Sequence, residues 1–291
     1  GFGASVKVSY EVSPLEGLQN RLGKTVQITY VPGYKSKFLS RFVPDNTPDD
    51  LLIKQAVAAA SKADVVLLFA GNNREVETES FDRLSLDLPF GQDKLIQAVC
   101  AVNPKTVIVV VAGAPVNLHV ADSSSNAILY SWFNGSEGGN ALADVITGKI
   151  NPSGKLPFTI PVKLEDSPAH ALKTFPGKNT VKYEEGLLVG YRWFDYQNIS
   201  PAYPFGFGLS YTQFEYKEMK SDKSAYSKKD TIALVVRIAN VGKREGMETI
   251  QIYSGENEPT VLRPVRELKA FRKVNLPSGS ETEVTFKIAA T

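Results

Sequence analysis

The 291-residue sequence is poor in the side chains that build metal and redox chemistry: it has one cysteine, Cys100, and two histidines, His119 and His170. A lone thiol forms no internal disulfide, and so small a set offers no Cys/His cluster at zinc-ligand spacing. No metal and no other cofactor is therefore expected, and the two histidines, far apart in sequence, read as structural. An excess of one charge is missing too. Thirty-three basic against 31 acidic residues leave a net charge of +2, without the cationic field that a nucleic-acid partner requires. Long apolar runs are also lacking. The apolar stretch at residues 107–112 stops far short of the ~20 residues that cross a bilayer, and no charged-then-apolar leader opens the sequence. The expectation is a soluble protein with a neutral partner and no membrane association.

What is present divides in two. Residues 49–63 begin with acidic residues and continue with alanines, as a helix should, and residues 64–70 follow as an unbroken apolar run. Such a run suits an inner strand of a mostly parallel sheet with helices on both faces. The unit repeats: residues 91–102 read as helix, 106–112 as strand, 127–133 as strand and 137–147 as helix, with Gly148 as its C-terminal cap. Residues 25–30 also alternate and are expected as a strand. Parallel strands need crossovers, so residues 1–160 are expected to form a three-layer α/β sandwich. Residues 161–213, rich in Pro, Gly and aromatics, are expected as a packed connection rather than a linker. Residues 214–291 alternate apolar and polar residues at 231–240, 248–253, 267–274 and 281–288, with turns at Asn240-Val-Gly242 and Pro277-Ser-Gly279. They read as an antiparallel β-sandwich.

Three motifs occur in order along the chain. The first is Glu77-Thr-Glu79-Ser-Phe-Asp82-Arg83, followed by Leu86-Asp-Leu-Pro89 and Gln92. The second runs from Trp132-Phe-Asn-Gly-Ser-Glu137-Gly-Gly139 through Asn151-Pro-Ser-Gly-Lys-Leu-Pro157 to Pro161. The third runs from Tyr183-Glu-Glu-Gly186 and Val189-Gly-Tyr-Arg192 to Pro204-Phe-Gly-Phe-Gly-Leu-Ser-Tyr-Thr212. The glycines at 135–139 lack the Gly-Lys-Ser/Thr ending of a phosphate loop. Taken together, the motifs resemble the C-terminal half of family 3 glycoside hydrolases, and the final β-sandwich resembles the family's fibronectin type III-like module.

The resemblance implies a retaining β-glucosidase acting on terminal β-D-glucosyl residues of glucosides or oligosaccharides. Glu79 takes the role of general acid/base, Glu77 is its rival two residues away, and Asp82 and Arg83 support the loop as an ion pair or hydrogen-bond anchor. A carboxyl that is partly buried holds its proton to higher pH, which suits a general acid. The family usually has glycine where this chain has Ser80, so the loop backbone is expected to do without glycine's freedom at positive φ. The family's (β/α)8 barrel, which carries the aspartate nucleophile, has no counterpart here. A barrel domain or chain is thus the implied partner, and this chain alone is expected to be inactive. Gly1-Phe-Gly-Ala-Ser5 resembles a glycine-rich segment inside the family's sandwich, so the protein is expected to continue beyond this stretch. The family also favours an extracellular or periplasmic location. Two alternatives stay open: a non-catalytic carbohydrate-binding or scaffolding module, and the same family with β-xyloside or α-arabinofuranoside specificity.

Overall fold

In the computed structural model, which describes residues 6–177 and 179–290, the chain divides into two compact units. One comprises Gly1–Asp144 and Ile160–Leu164, the other Val145–Thr159 and Glu165–Thr291. The glycine-rich opening at residues 1–5 lies outside the described residues.

The first unit begins with α1 (Pro14–Leu22), whose N-cap Ser13 accepts from the Glu16 N–H, and continues with a small hairpin, β1 (Phe38–Ser40) and β2 (Val43–Pro44). Helix α2 (Asp50–Ala60) starts at Asp49, whose carboxylate accepts from the Leu52 N–H. Strands β3 (Val66–Gly71), β4 (Thr106–Val111) and β5 (Ala127–Tyr130) form a parallel sheet in that order, with α3 (Gln92–Val102) and α4 (His119–Ser124) in the crossovers and α5 (Gly138–Ile146) after the last strand. Val66 pairs with Thr106 and Val107 with Ala127. Ile108, Val109 and Val110 are all fully buried. Successive strand residues point to opposite faces, so both faces of β4 are covered and the unit is a three-layer α/β sandwich. Helix α3 packs on α2 and α4. Helices α1 and α5 cross where a Cβ on Gly17 would meet the Gly139 carbonyl at 2.1 Å, an approach only glycine permits.

Residues 25–30 do not form the expected strand. Their alternation is real, but Val26 and Tyr30 are exposed, and the segment joins none of the sheets among the described residues. Period-2 patterning without a paired neighbour leaves only an extended coil.

In the second unit, residues 151–211 carry a 3-10 turn at Leu164–Asp166 and the short helices α6 (Pro168–Ala171) and α7 (Tyr191–Tyr196). Trp193 and Phe194 bury themselves with Leu188, and the Trp193 indole donates to the Asp166 carbonyl at 3.1 Å. Strands β6 (Phe214–Ser221), β7 (Thr231–Asn240), β8 (Gly246–Ser254), β9 (Glu267–Leu276) and β10 (Glu281–Ala289) build two antiparallel sheets, ordered β10-β7-β6 and β8-β9. Val236, Ile238, Ile250, Ile252, Leu276, Val284 and Phe286 meet in the core. Asn240 fixes one turn. Its amide donates to the Arg244 and Leu276 carbonyls, and its side-chain oxygen accepts from the Thr212 hydroxyl and the Gly242 N–H.

Candidate active site

In sheets of this kind the C-terminal strand ends are where ligands meet the protein. The first motif starts there. Strand β3 ends at Gly71, whose backbone N–H and C=O are both engaged by the fully buried side chain of Gln92, at 2.7 and 2.8 Å. That pair fixes the point from which the following loop departs. Asn72 comes next, and its amide donates to Glu77 Oε1 at 2.6 Å. The Gly113 N–H, just beyond β4, donates to Glu77 Oε2 at 2.8 Å. Glu77 is therefore held at two strand ends at once. A Cβ on Gly113 would stand 2.9 Å from the same oxygen, so glycine is what admits the carboxylate.

Arg83 closes the loop from its other end. Its Nη2 donates to the Pro115 carbonyl at 2.6 Å, and its Nη1 lies 3.9 Å from Glu77 Oε1. Its carboxylate partner is thus Glu77, whereas Asp82 is exposed and makes no ion pair among the described residues. Tyr130 stands beside this pair and donates to the Ala114 carbonyl at 2.7 Å. Burial, then the negative charge of Glu77, pushes its hydroxyl pKa upward, and Arg83 opposes the shift.

Between Glu77 and Arg83 the chain reverses. Thr78 and Phe81 form an isolated antiparallel bridge, so Glu79 and Ser80 are the central residues of a tight turn. Of these two only Ser80 has positive φ, +70°, the pattern that favours glycine at the second central position. The turn takes up the left-handed conformation without glycine's freedom, and Ser80 bears the strain. Glu79 is exposed at the turn, and Phe81 and Leu84 beside it are 40% and 84% exposed. Phe81 packs on Phe42 with ring centroids 3.9 Å apart, and the Arg41 guanidinium lies over both rings. The β1–β2 hairpin tip thus flanks the turn.

The structure brings Glu77 and Arg83 together, sets Glu79 outside them and leaves Asp82 apart. Asp87 serves the next turn, accepting from the Ser85 hydroxyl and the Asn117 amide. Asn72, Gly113, Tyr130 and the Arg41–Phe42 tip were not singled out from sequence. The available signal was position, since Asn72 and Gly113 directly follow the first two apolar strands. No group of three or more His, Cys, Asp or Glu residues that could hold a metal occurs among the described residues. The second unit has a cavity of about 370 Å³ where Tyr191 stacks on Phe205. Its charged walls are internally paired, Lys155 with Glu248 and Arg266 with Asp195.

The architecture is thus a parallel α/β sandwich followed by an antiparallel β-module, a class of fold that does not by itself fix a function. The comparisons name it: residues 1–211 match the glycosyl hydrolase family 3 C-terminal domain and residues 248–291 a fibronectin type III-like domain. The chain belongs to glycosyl hydrolase family 3. It is 42% identical over 297 aligned positions to β-glucosidase BoGH3A of Bacteroides ovatus, which covers 99% of this chain and 39% of that protein. It is 41% identical to thermostable β-glucosidase B of Acetivibrio thermocellus, covering 94% of this chain and 35% of that one. The crystal structure of a family 3 β-glucosidase from Bifidobacterium adolescentis superposes with a TM-score of 0.87 at 38% identity, over 98% of this chain and 40% of that one. The chain thus spans roughly two fifths of the length of these relatives.

Proposed function

We propose that this chain supplies the general acid/base to a retaining β-glucosidase whose aspartate nucleophile stands on a (β/α)8 barrel in the rest of the protein or in a separate chain. Glu79 is the acid/base, and terminal β-D-glucosyl residues are the substrate. The observation that carries the reading is the turn itself: a carboxylate presented to the outside at the strand ends, with apolar neighbours Phe81 and Leu84 also uncovered. Retaining hydrolysis needs a second carboxylate ~5–5.5 Å from the acid, and an exposed turn is the part of this unit able to meet one from outside. The β-glucosidase names of the relatives and the share of their length that this chain spans support the same reading.

The chain alone then lacks turnover of aryl β-glucosides, because an acid without its nucleophile forms no glycosyl-enzyme. In the protein joined to its barrel, Glu79→Ala is expected to lower turnover of glucosides with poor leaving groups at least ~10²-fold. With an activated leaving group, the same variant should accumulate glycosyl-enzyme, and added azide should convert it to β-glucosyl azide. Hydrolysis by the isolated chain, or a Glu79 variant that azide does not rescue, would sink the proposal.

A further inference from the structure

Within the Glu79 turn, one isolated bridge joins Thr78 to Phe81. Its two ends are both tied to the short segment after β4: Glu77 Oε2 receives the Gly113 N–H, and Arg83 donates to the Pro115 carbonyl two residues further on. Glu77 and Arg83 also face each other across the base of the turn at 3.9 Å.

Three groups depend on the Glu77 carboxylate, namely the Asn72 amide, the Gly113 N–H and the Arg83 guanidinium. Arg83 Nη1 and Asn72 Oδ1 are buried and have no hydrogen-bond partner among the described residues. Loss of the Glu77 carboxylate therefore unties the N-terminal end of the turn from Asn72 and Gly113 and removes the anion facing Arg83, whose bond to the Pro115 carbonyl alone remains.

We infer that Glu77 is a positioning residue: with Arg83 it clasps the base of the turn onto residues 113–115 and so sets where Glu79 stands. The inference rests on the Glu79 reading for its catalytic consequence, but the clasp can be measured without catalysis. Hydrogen exchange on the 291-residue chain is the first test. In Glu77→Ala the amides of residues 76–83 are expected to exchange at least ~10-fold faster, with the interiors of β3 and β4 unchanged. Glu77→Gln, which keeps the shape and one acceptor oxygen, should show a smaller increase, and it alone decides by the same criterion if Glu77→Ala does not fold. Exchange equal to that of the parent chain overturns the clasp.

The second test uses the protein joined to its barrel. Glu77→Gln should lower kcat for alkyl glucosides ~10-fold or more with KM within about threefold, and azide should yield no glycosyl azide because Glu79 still fills its place. Formation of the azide adduct by the Glu77 variant overturns the inference by making Glu77 the acid. Normal kcat in Glu77→Gln alongside a crippled, azide-rescued Glu79→Ala also overturns it. If Glu79→Ala is itself harmless, the Glu79 reading fails, while faster exchange of residues 76–83 would still establish the clasp.

Discussion

Glu77 in the first unit and Glu248 in the second are equally withdrawn from solvent, their side chains 12% and 11% exposed, yet they are set differently. Glu248 points into the β-module on strand β8, where Lys155 approaches its Oε2 at 3.0 Å and the Tyr216 hydroxyl donates to Oε1 at 3.2 Å. Lys155 in turn donates to the Gly208 carbonyl at 2.7 Å. None of these side-chain polar atoms is left without a partner, as a buried ion pair requires if it is not to cost stability. Around Glu77 the pairing is incomplete: the guanidinium approaches at 3.9 Å, and Arg83 Nη1 and Asn72 Oδ1 stay unpartnered. Each carboxylate has a tyrosine beside it whose hydroxyl pKa is raised, first by burial and then by the carboxylate charge. A completed network inside a strand serves the fold. The uncompleted one lies at the strand ends, under an exposed turn, where the proposed site stands.

The comparison is broken most forcefully at Glu248. Glu248→Ala leaves Lys155 buried without its anion and is expected to destabilise the second unit by about 3–5 kcal/mol, read as a shifted denaturation midpoint. In the protein joined to its barrel, activity per folded molecule should stay at the parent level. If activity fell while stability held, the division between a fold carboxylate and a site carboxylate would be wrong.

Glu77→Ala should act with the opposite balance. Removing an acceptor from partly buried donors is expected to destabilise the first unit by about 2–3 kcal/mol, measured by denaturant titration. A loss as large as that at Glu248 would mean that the two networks carry equal structural weight.

Ser80 sharpens the contrast at smaller scale. A non-glycine residue at φ +70° stores strain of about 1–2 kcal/mol, partly offset in Ser80→Gly by glycine's greater freedom when unfolded. A net gain of up to about 1 kcal/mol is expected for Ser80→Gly, and a loss for Ser80→Val, by thermal denaturation. If both variants are neutral, the turn is not held in this conformation.

The smallest effect concerns Asp93, at the start of α3, which makes no ion pair among the described residues. Burial, then the charge of Asp87, raises its pKa, with His119 opposing. A carboxyl whose folded pKa lies above its unfolded value contributes most below the unfolded pKa and loses that contribution as pH rises through the folded one. Asp93→Asn should therefore be more stable relative to the parent chain at pH 7 than at pH 3. The reverse slope would show that the α3 N-terminus favours the carboxylate more than burial disfavours it.

The α/β repeat and the late β-strands were legible because their periods are regular and their apolar faces are buried. Strand β6 was not picked out. A bulge between Tyr216 and Glu218 interrupts its alternation, so its apolar residues fall out of step. Residues 25–30 misled in the other direction, alternating without a neighbour to pair with. In the site, the motif carried Glu77, Glu79, Asp82 and Arg83 as one string, with Asp82 and Arg83 expected as an ion pair or hydrogen-bond anchor. The turn at Glu79–Ser80 brings residue 83 back beside residue 77, where Arg83 anchors on the Pro115 carbonyl and Glu77, while Asp82 stays exposed.

By itself the sequence determined the fold class, the family and the candidate carboxylates, because periodicity and short motifs are local properties of the chain. The tertiary structure alone decided which carboxylate is anchored and which is presented. That choice depends on Asn72, Gly113 and Pro115, which reach Glu77 and Arg83 only when β3 and β4 lie side by side and their ends converge. Hydrogen bonds between residues more than 30 positions apart have no local signature, since the strand pairing that creates them is settled by burial across the whole sheet.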